Sequence, residues 1–117
     1  MDYKIVNQFS VSGLALQNWV GSSVMKSERK INLSALENIT SQTARLVAKR
    51  AVEKFAAEWG FLIEENGINV KHCKFSGGVD ISVMRDEHTC FRCSFAEEWA
   101  HENGFVPRFH LQNHNMI

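Results

Sequence analysis

Apolar and polar positions alternate from the start of the chain. Tyr3, Ile5, Phe9 and Val11 alternate with Lys4, Gln8 and Ser10, the period-two pattern of a half-buried strand; Val6 and Asn7 are its exceptions. Ser12 and Gly13 break the pattern, and Leu14 to Val20 predicts a short helix before Gly21-Ser22-Ser23. Val24 to Asn32, with Lys26, Glu28, Arg29 and Lys30, reads as a solvated connector or a short edge strand.

The spacing then changes to that of a helix. Leu36, Ile39, Thr43, Leu46, Val47, Ala51, Phe55 and Trp59 recur at steps of three and four, and Gly60 supplies the stop. Ser34 stands three residues before Glu37, a capping-box signature in which hydroxyl and carboxylate satisfy free backbone N–H groups of the first turn. A helix begun there has about 25 residues and spans about 37 Å. Arg45, Lys49, Arg50 and Lys54 fall on its opposite face.

Beyond Gly60 the period returns to two. Phe61-Leu62-Ile63 is a short apolar run, Glu65-Asn66-Gly67 a turn, and Ile68, Val70 and His72 alternate with Asn69, Lys71 and Cys73. Ser76-Gly77-Gly78 turns the chain into Val79, Ile81 and Val83, and Arg85 to His88 turns it again into a strand from Thr89 to Cys93. Connections this short call for an antiparallel meander. Ser94 with Glu97 repeats the capping signature and opens a helix from Phe95 to Asn103, closed by Gly104; Pro107 starts a last short helix, Arg108 to Asn113. The expected fold is therefore α+β: one long helix packed across an antiparallel sheet, made of the N-terminal strand and a three-stranded meander, with a second, shorter C-terminal helix. Phe55-Ala-Ala-Glu-Trp59 and Phe95-Ala-Glu-Glu-Trp99 look alike, and both read as amphipathic helical pieces with a buried aromatic pair.

Length and composition agree with one compact domain over residues 1–117. The hydrophobic content is 44%, with eight Phe, three Trp and a single Pro, enough for one packed core in a chain of this size. No basic segment leads into an apolar run at the N-terminus and no stretch is long enough for a membrane span. Three cysteines, an odd number, fit a reducing compartment rather than a disulfide framework, so the expectation is a cytoplasmic, intracellular protein. The net charge of zero hides a split: residues 1–57 hold eight Lys and Arg against four Asp and Glu, and residues 58–117 hold five against nine. Opposite poles of this kind suit a monomer, a head-to-tail pair or a two-fold dimer equally.

One arrangement has the ligand types and local spacings of a tetrahedral zinc site. Cys90 and Cys93 are three positions apart, and His110 and His114 four apart. Sixteen residues separate the pairs, against about twelve in a two-Cys two-His finger, and Cys73 and His101 are substitute ligands. In a regular strand Cys90 and Cys93 face opposite sides, so a shared metal demands a bend there. The competing reading makes them small buried hydrophobes. A third takes them as a dithiol redox pair, with Cys93 next to a helix start that lowers thiol pKa.

The sequence carries no phosphate loop, nucleophile elbow or His-Glu-x-x-His motif, and Asp86-Glu87-His88 reads as a solvated turn. It points away from an enzyme. The function expected is that of a small non-catalytic protein binding another macromolecule, a protein above all, as an inhibitor, adaptor or regulatory subunit. Arg45, Lys49, Arg50 and Lys54 are the candidate partner-binding residues. The alternatives are a zinc-stabilised nucleic-acid-binding domain, with those cations on phosphates, and a small CxxC dithiol redox protein. No cofactor is required unless the thiols hold zinc.

Overall fold

The computed structural model describes residues 8–20, 29–75, 77–85, 88–103 and 112–114. Strand β1 (Gln8–Ser12) runs into helix α1 (Gly13–Val20), followed by β2 (Lys30–Asn32), a 3-10 helix (Ser34–Asn38) and helix α2 (Gln42–Trp59). Then come β3 (Leu62–Ile63), β4 (Ile68–Asn69), β5 (Lys71–Phe75), β6 (Gly78–Arg85), β7 (His88–Ala96), helix α3 (Glu97–Asn103) and β8 (Gln112–His114). Strands β5, β6, β7 and β1 form an antiparallel sheet in that order, and β8 adds to β1 in parallel. The α+β expectation holds, with its meander, its N-terminal strand beside β7 and its short C-terminal helix. Among the described residues no helix is long and apolar enough to cross a membrane.

Alternation decides which face of the sheet is covered. Val79, Ile81 and Val83 of β6, Phe91, Cys93 and Phe95 of β7, and Phe9 and Val11 of β1 are all buried, and their register puts them in shared rows. Onto this face α2 lays Ala44, Val47, Ala48, Ala51, Val52, Phe55 and Ala56. Four alanines among these seven buried residues keep the face small, and Phe55 is its one aromatic, fully buried. Trp99 of α3 packs against Phe9 and Phe95 at centroid distances of 5.6 and 5.9 Å, closing the end of the same core.

The long helix is shorter than its periodicity predicts. The stretch from Ser34 to Asn38 is a 3-10 helix with no side-chain cap, Ile39 takes an extended conformation, and α2 starts only at Gln42. Its true cap is Ser41, whose hydroxyl accepts from the Ala44 amide at 3.2 Å. Leu36 and Ile39 are buried as expected, but through two elements rather than one, since apolar spacing alone does not record a break in hydrogen bonding. The stop is as predicted: Gly60 is left-handed with φ 76°, and its amide bonds to the Ala56 carbonyl.

Other expectations need revision. Ser94 lies inside β7, so it does not cap α3, and Phe95 and Ala96 are strand residues too. Gln112 and Asn113, expected in a final helix, are in β8; Arg108 to Leu111 lie outside the described residues, as do Tyr3 to Asn7, Asp86 and Glu87. The Glu65-Asn66-Gly67 turn does not join a hairpin. Strands β3 and β4 instead flank β2 on either side, both parallel to it, in a separate three-stranded sheet. The connector residues Lys30–Asn32 are thus a central strand, with Ile31 fully buried.

To reach both sides of β2, the chain from Glu64 to Gly67 arches over it. The Glu64 amide bonds to the Ile31 carbonyl at 3.0 Å and the Gly67 amide to the Glu64 carbonyl at 3.1 Å. A Cβ on Gly67 would sit 2.4 Å from the Lys30 carbonyl carbon and 2.5 Å from the Ile31 nitrogen, both rigid backbone atoms. Gly67→Ala is therefore expected to destabilise the protein by about 2 kcal/mol or more, read as a fall in urea midpoint; a change within about 0.5 kcal/mol would contradict the close approach. Ser41→Ala should cost about 1 kcal/mol and Ser34→Ala much less, and the reverse order would put the helix start back at Ser34.

Candidate functional site

Between the 3-10 helix, α2 and the arch lies an open cleft of about 480 Å³, with Leu33, Leu36 and Ile63 as its apolar lining and Glu37, Arg45, Lys49, Glu64 and Glu65 around it. Asn32 builds its base. Its side-chain amide donates to the Glu65 carbonyl at 2.7 Å, and its side-chain oxygen accepts from the Ser34 amide at 2.8 Å, tying the arch to the first turn of the 3-10 helix. Two ion pairs brace the walls. Arg45 Nη1 meets Glu37 Oε2 at 3.4 Å, joining α2 to the 3-10 helix, and Lys30 Nζ meets Glu64 Oε2 at 3.2 Å, joining β2 to the arch. Each is partly exposed and adds at most about 1 kcal/mol; their effect is to hold the walls and neutralise two carboxylates.

Beside the cleft the surface is apolar. Leu62 is 52% and Ile63 41% exposed, and only Leu14 joins them as an exposed large hydrophobic residue among the described positions. β3 is a two-residue edge strand of the small sheet: Phe61 before it turns into the core, and Leu62 and Ile63 are left exposed at the sheet's edge. Of the short apolar run Phe61-Leu62-Ile63 only Phe61 is buried. The usable signal was its shortness and the carboxylates directly after it. Asn32 closes an Asx turn onto the Ser34 amide, for which Asn two residues before a helical turn is the local signal.

The four predicted partner-binding cations do not act as one stripe. Lys49 and Arg50 are exposed, Lys54 is half-buried, and Arg45 is committed to Glu37. Glu53 and Glu58 also lie exposed on the helix, so the surface there is mixed in sign. Of the four, Arg45 and Lys49 reach the cleft.

The predicted metal ligands are dispersed differently. Residues Val83 and Met84 of β6 pair with Phe91 and Thr89, leaving Cys90 as the extra residue of a β-bulge. The bend required at the thiols is thus present, but both side chains enter the apolar core, at 1% and 0% exposure. The Cys90 thiol donates to the His88 carbonyl at 3.8 Å. Burial, aided by the charge of Asp80, pushes the Cys93 thiol well above its ordinary range, the opposite of an activated thiolate. Cys93 also lies within β7, four residues before α3, so the helix start is not beside it. Cys73 is exposed on edge strand β5, opposite Asp80, on the other face of the sheet from Cys93. His101 is exposed on α3. His114 stands in β8 opposite Ser12, with β1 between it and β7, about 10 Å of backbone separation across the strands; His110 lies outside the described residues. Among the described residues no three His, Cys, Asp or Glu side chains come together as a metal site.

The face of the main sheet opposite α2 is polar, with Ser10 buried on it. Arg92 donates from Nε and Nη2 to the two oxygens of Asp80, at 3.2 and 3.1 Å, and this pairing raises the guanidinium pKa further. Ser10 and Ser82 stand on either side of Arg92, and Ser94 beside Asp80. On the covered face, opposite Ile81, His72 is half-buried with its Nε2 buried and unpartnered.

In the native protein a thiol reagent at pH 7 is expected to modify Cys73 alone, with Cys90 and Cys93 reacting only on unfolding. A chelator that unmasks them in the folded protein would make them zinc ligands. Because the folded Cys93 pKa is raised, its contribution to stability is full below the unfolded thiol pKa and is lost as pH rises through about 8.5 and beyond. Cys93→Ala should flatten that alkaline decline, and an unchanged pH dependence would contradict the assignment. Compared with family models, curated proteins and solved structures, the chain matches none.

Proposed function

We propose that this chain is a small non-catalytic protein of the cytoplasm that works by binding another protein, as an inhibitor, adaptor or regulatory subunit, through the cleft beside β3. The observation that carries this reading is exposed Ile63 at the wall of a cleft with an apolar lining and a charged rim, with exposed Leu62 next to it in β3. An apolar centre surrounded by polar groups is the anatomy of a protein interface. By contrast, the opposite sheet face offers the Arg92–Asp80 pair with half-buried Ser82 and Ser94 beside it, polar groups that water solvates well. An odd number of cysteines, with Cys73 exposed, supports the intracellular placement.

A nucleic-acid partner would draw on the same helix, but Arg45 is already bound to Glu37 and two glutamates interrupt the exposed face. That leaves Lys49 and Arg50 as the principal phosphate contacts, too few for the steep salt dependence of phosphate-driven binding.

Co-purification at low salt from the cell that makes the protein, followed by nuclease digestion, tests the reading. The native chain is expected to retain a stoichiometric protein partner through digestion, and Leu62→Asp/Ile63→Asp to lose it while melting within a few degrees of the native protein. A partner that the double variant keeps, or that nuclease releases, would overturn it.

A further inference from the structure

We propose that the cleft recognises a short peptide segment in which an apolar side chain is adjacent to a carboxylate; this rests on the reading of the cleft as the interface. The apolar side chain would seat on Leu33, Leu36 and Ile63, and the carboxylate would meet Lys49.

Size and charge both lead there. A volume of about 480 Å³ falls in the range of sites that enclose a small ligand or a few side chains rather than a broad domain face. The charges around it sort into spent and unspent. Glu37 is taken by Arg45 and Glu64 by Lys30, so two of three carboxylates at the rim are already neutralised from within. Lys49 makes no ion pair with a described residue, and Arg50 extends the same positive edge along α2. Glu65 is the remaining carboxylate, on the arch facing α2 across the cleft. The cleft is therefore polarised, positive on the helix side and negative on the arch side. A peptide carboxylate beside its anchor pairs with Lys49, and the chain then leaves past Glu65, where a lysine or arginine is favoured. The walls are already held by Asn32 and the two ion pairs, so the peptide bears the ordering cost and the protein little of it.

The test is a selection of random twelve-residue peptides displayed on phage against the immobilised full-length protein, with the Ile63→Asp variant as the counter-selection. The enriched peptides are then synthesised and titrated by fluorescence anisotropy. The expected result is an enriched pattern of one or two large apolar residues next to Asp or Glu, with affinity reduced about tenfold or more by Lys49→Glu. Replacing the peptide's acid by Lys should restore binding to Lys49→Glu. Both protein substitutions are at exposed positions, and Ile63→Ser serves as counter-selection if Ile63→Asp does not fold. Enriched peptides with no acidic residue, or with the same affinity for Lys49→Glu, would overturn the inference and leave the cleft as an apolar interface. Failure to enrich any peptide that discriminates native protein from Ile63→Asp would also overturn it, while the co-purification result independently decides whether Leu62 and Ile63 bind a folded partner.

Discussion

Phe55 stands between Phe61 and Phe91, with ring centroids 5.2 and 4.9 Å away, and the positions of helix, sheet and return chain all follow from that contact. Phe91 belongs to β7, the strand that β1 and β6 both pair with, so Phe55 sets where α2 rests on the sheet. Phe61 comes two residues after the last helical residue, Trp59, and the left-handed turn at Gly60 lets the chain fold back. A fully buried aromatic contributes about 3 kcal/mol and each good ring pair about 1 more, a large share of the 5–15 kcal/mol that keeps a typical domain folded. With Phe61 drawn inward, Leu62 and Ile63 emerge at the surface beside β2. The cleft is thus a consequence of core packing.

Much of this fold was legible from periodicity. The meander, the β1 strand and the Gly60 stop appear where alternation and three-four spacing place them, as do Val47, Ala51 and Phe55 of the α2 core face; Thr43, Leu46 and Trp59 of the predicted stripe are half-buried, and Ala44, Ala48, Val52 and Ala56 complete the buried face instead. What these patterns do not report is hydrogen-bond continuity. Leu36 and Ile39 keep the apolar spacing across a break that converts one expected helix into a 3-10 turn and an α-helix with Ser41 as its cap. The twin segments at Phe55 and Phe95 make the same point. Phe-Ala-Ala-Glu-Trp is helical throughout, while in Phe-Ala-Glu-Glu-Trp the first two residues extend β7 and the rest begin α3. Local composition is nearly equal, and strand pairing with β6 decides between them.

The candidate site was less legible, for a physical reason. Its cleft depends on β2 pairing in parallel with both β3 and β4, contacts some thirty residues apart in sequence that no local pattern encodes. Lys49 and Arg45 were recognisable as exposed cations, but which of them was free depended on Glu37, placed by the 3-10 helix. The cysteines were conspicuous in sequence because of their spacing, and the bulge at Cys90 supplies the bend that spacing requires. Their side chains nevertheless belong to the core, so the geometry that a metal would use here serves to bury two thiols beside Phe91.

The main sheet thus has one apolar face closed by α2 and α3 and one polar face that carries the Arg92–Asp80 pair, while the small sheet carries exposed Leu62 and Ile63. Hydrogen exchange on the protein alone and with its co-purifying partner tests this division of roles most directly. Binding at the cleft predicts slowed exchange of amides in residues 33–37 and 62–66, with β6 and β7 unchanged. Protection confined to residues 80–82 and 92–94, on the serine-lined strands, would contradict the account.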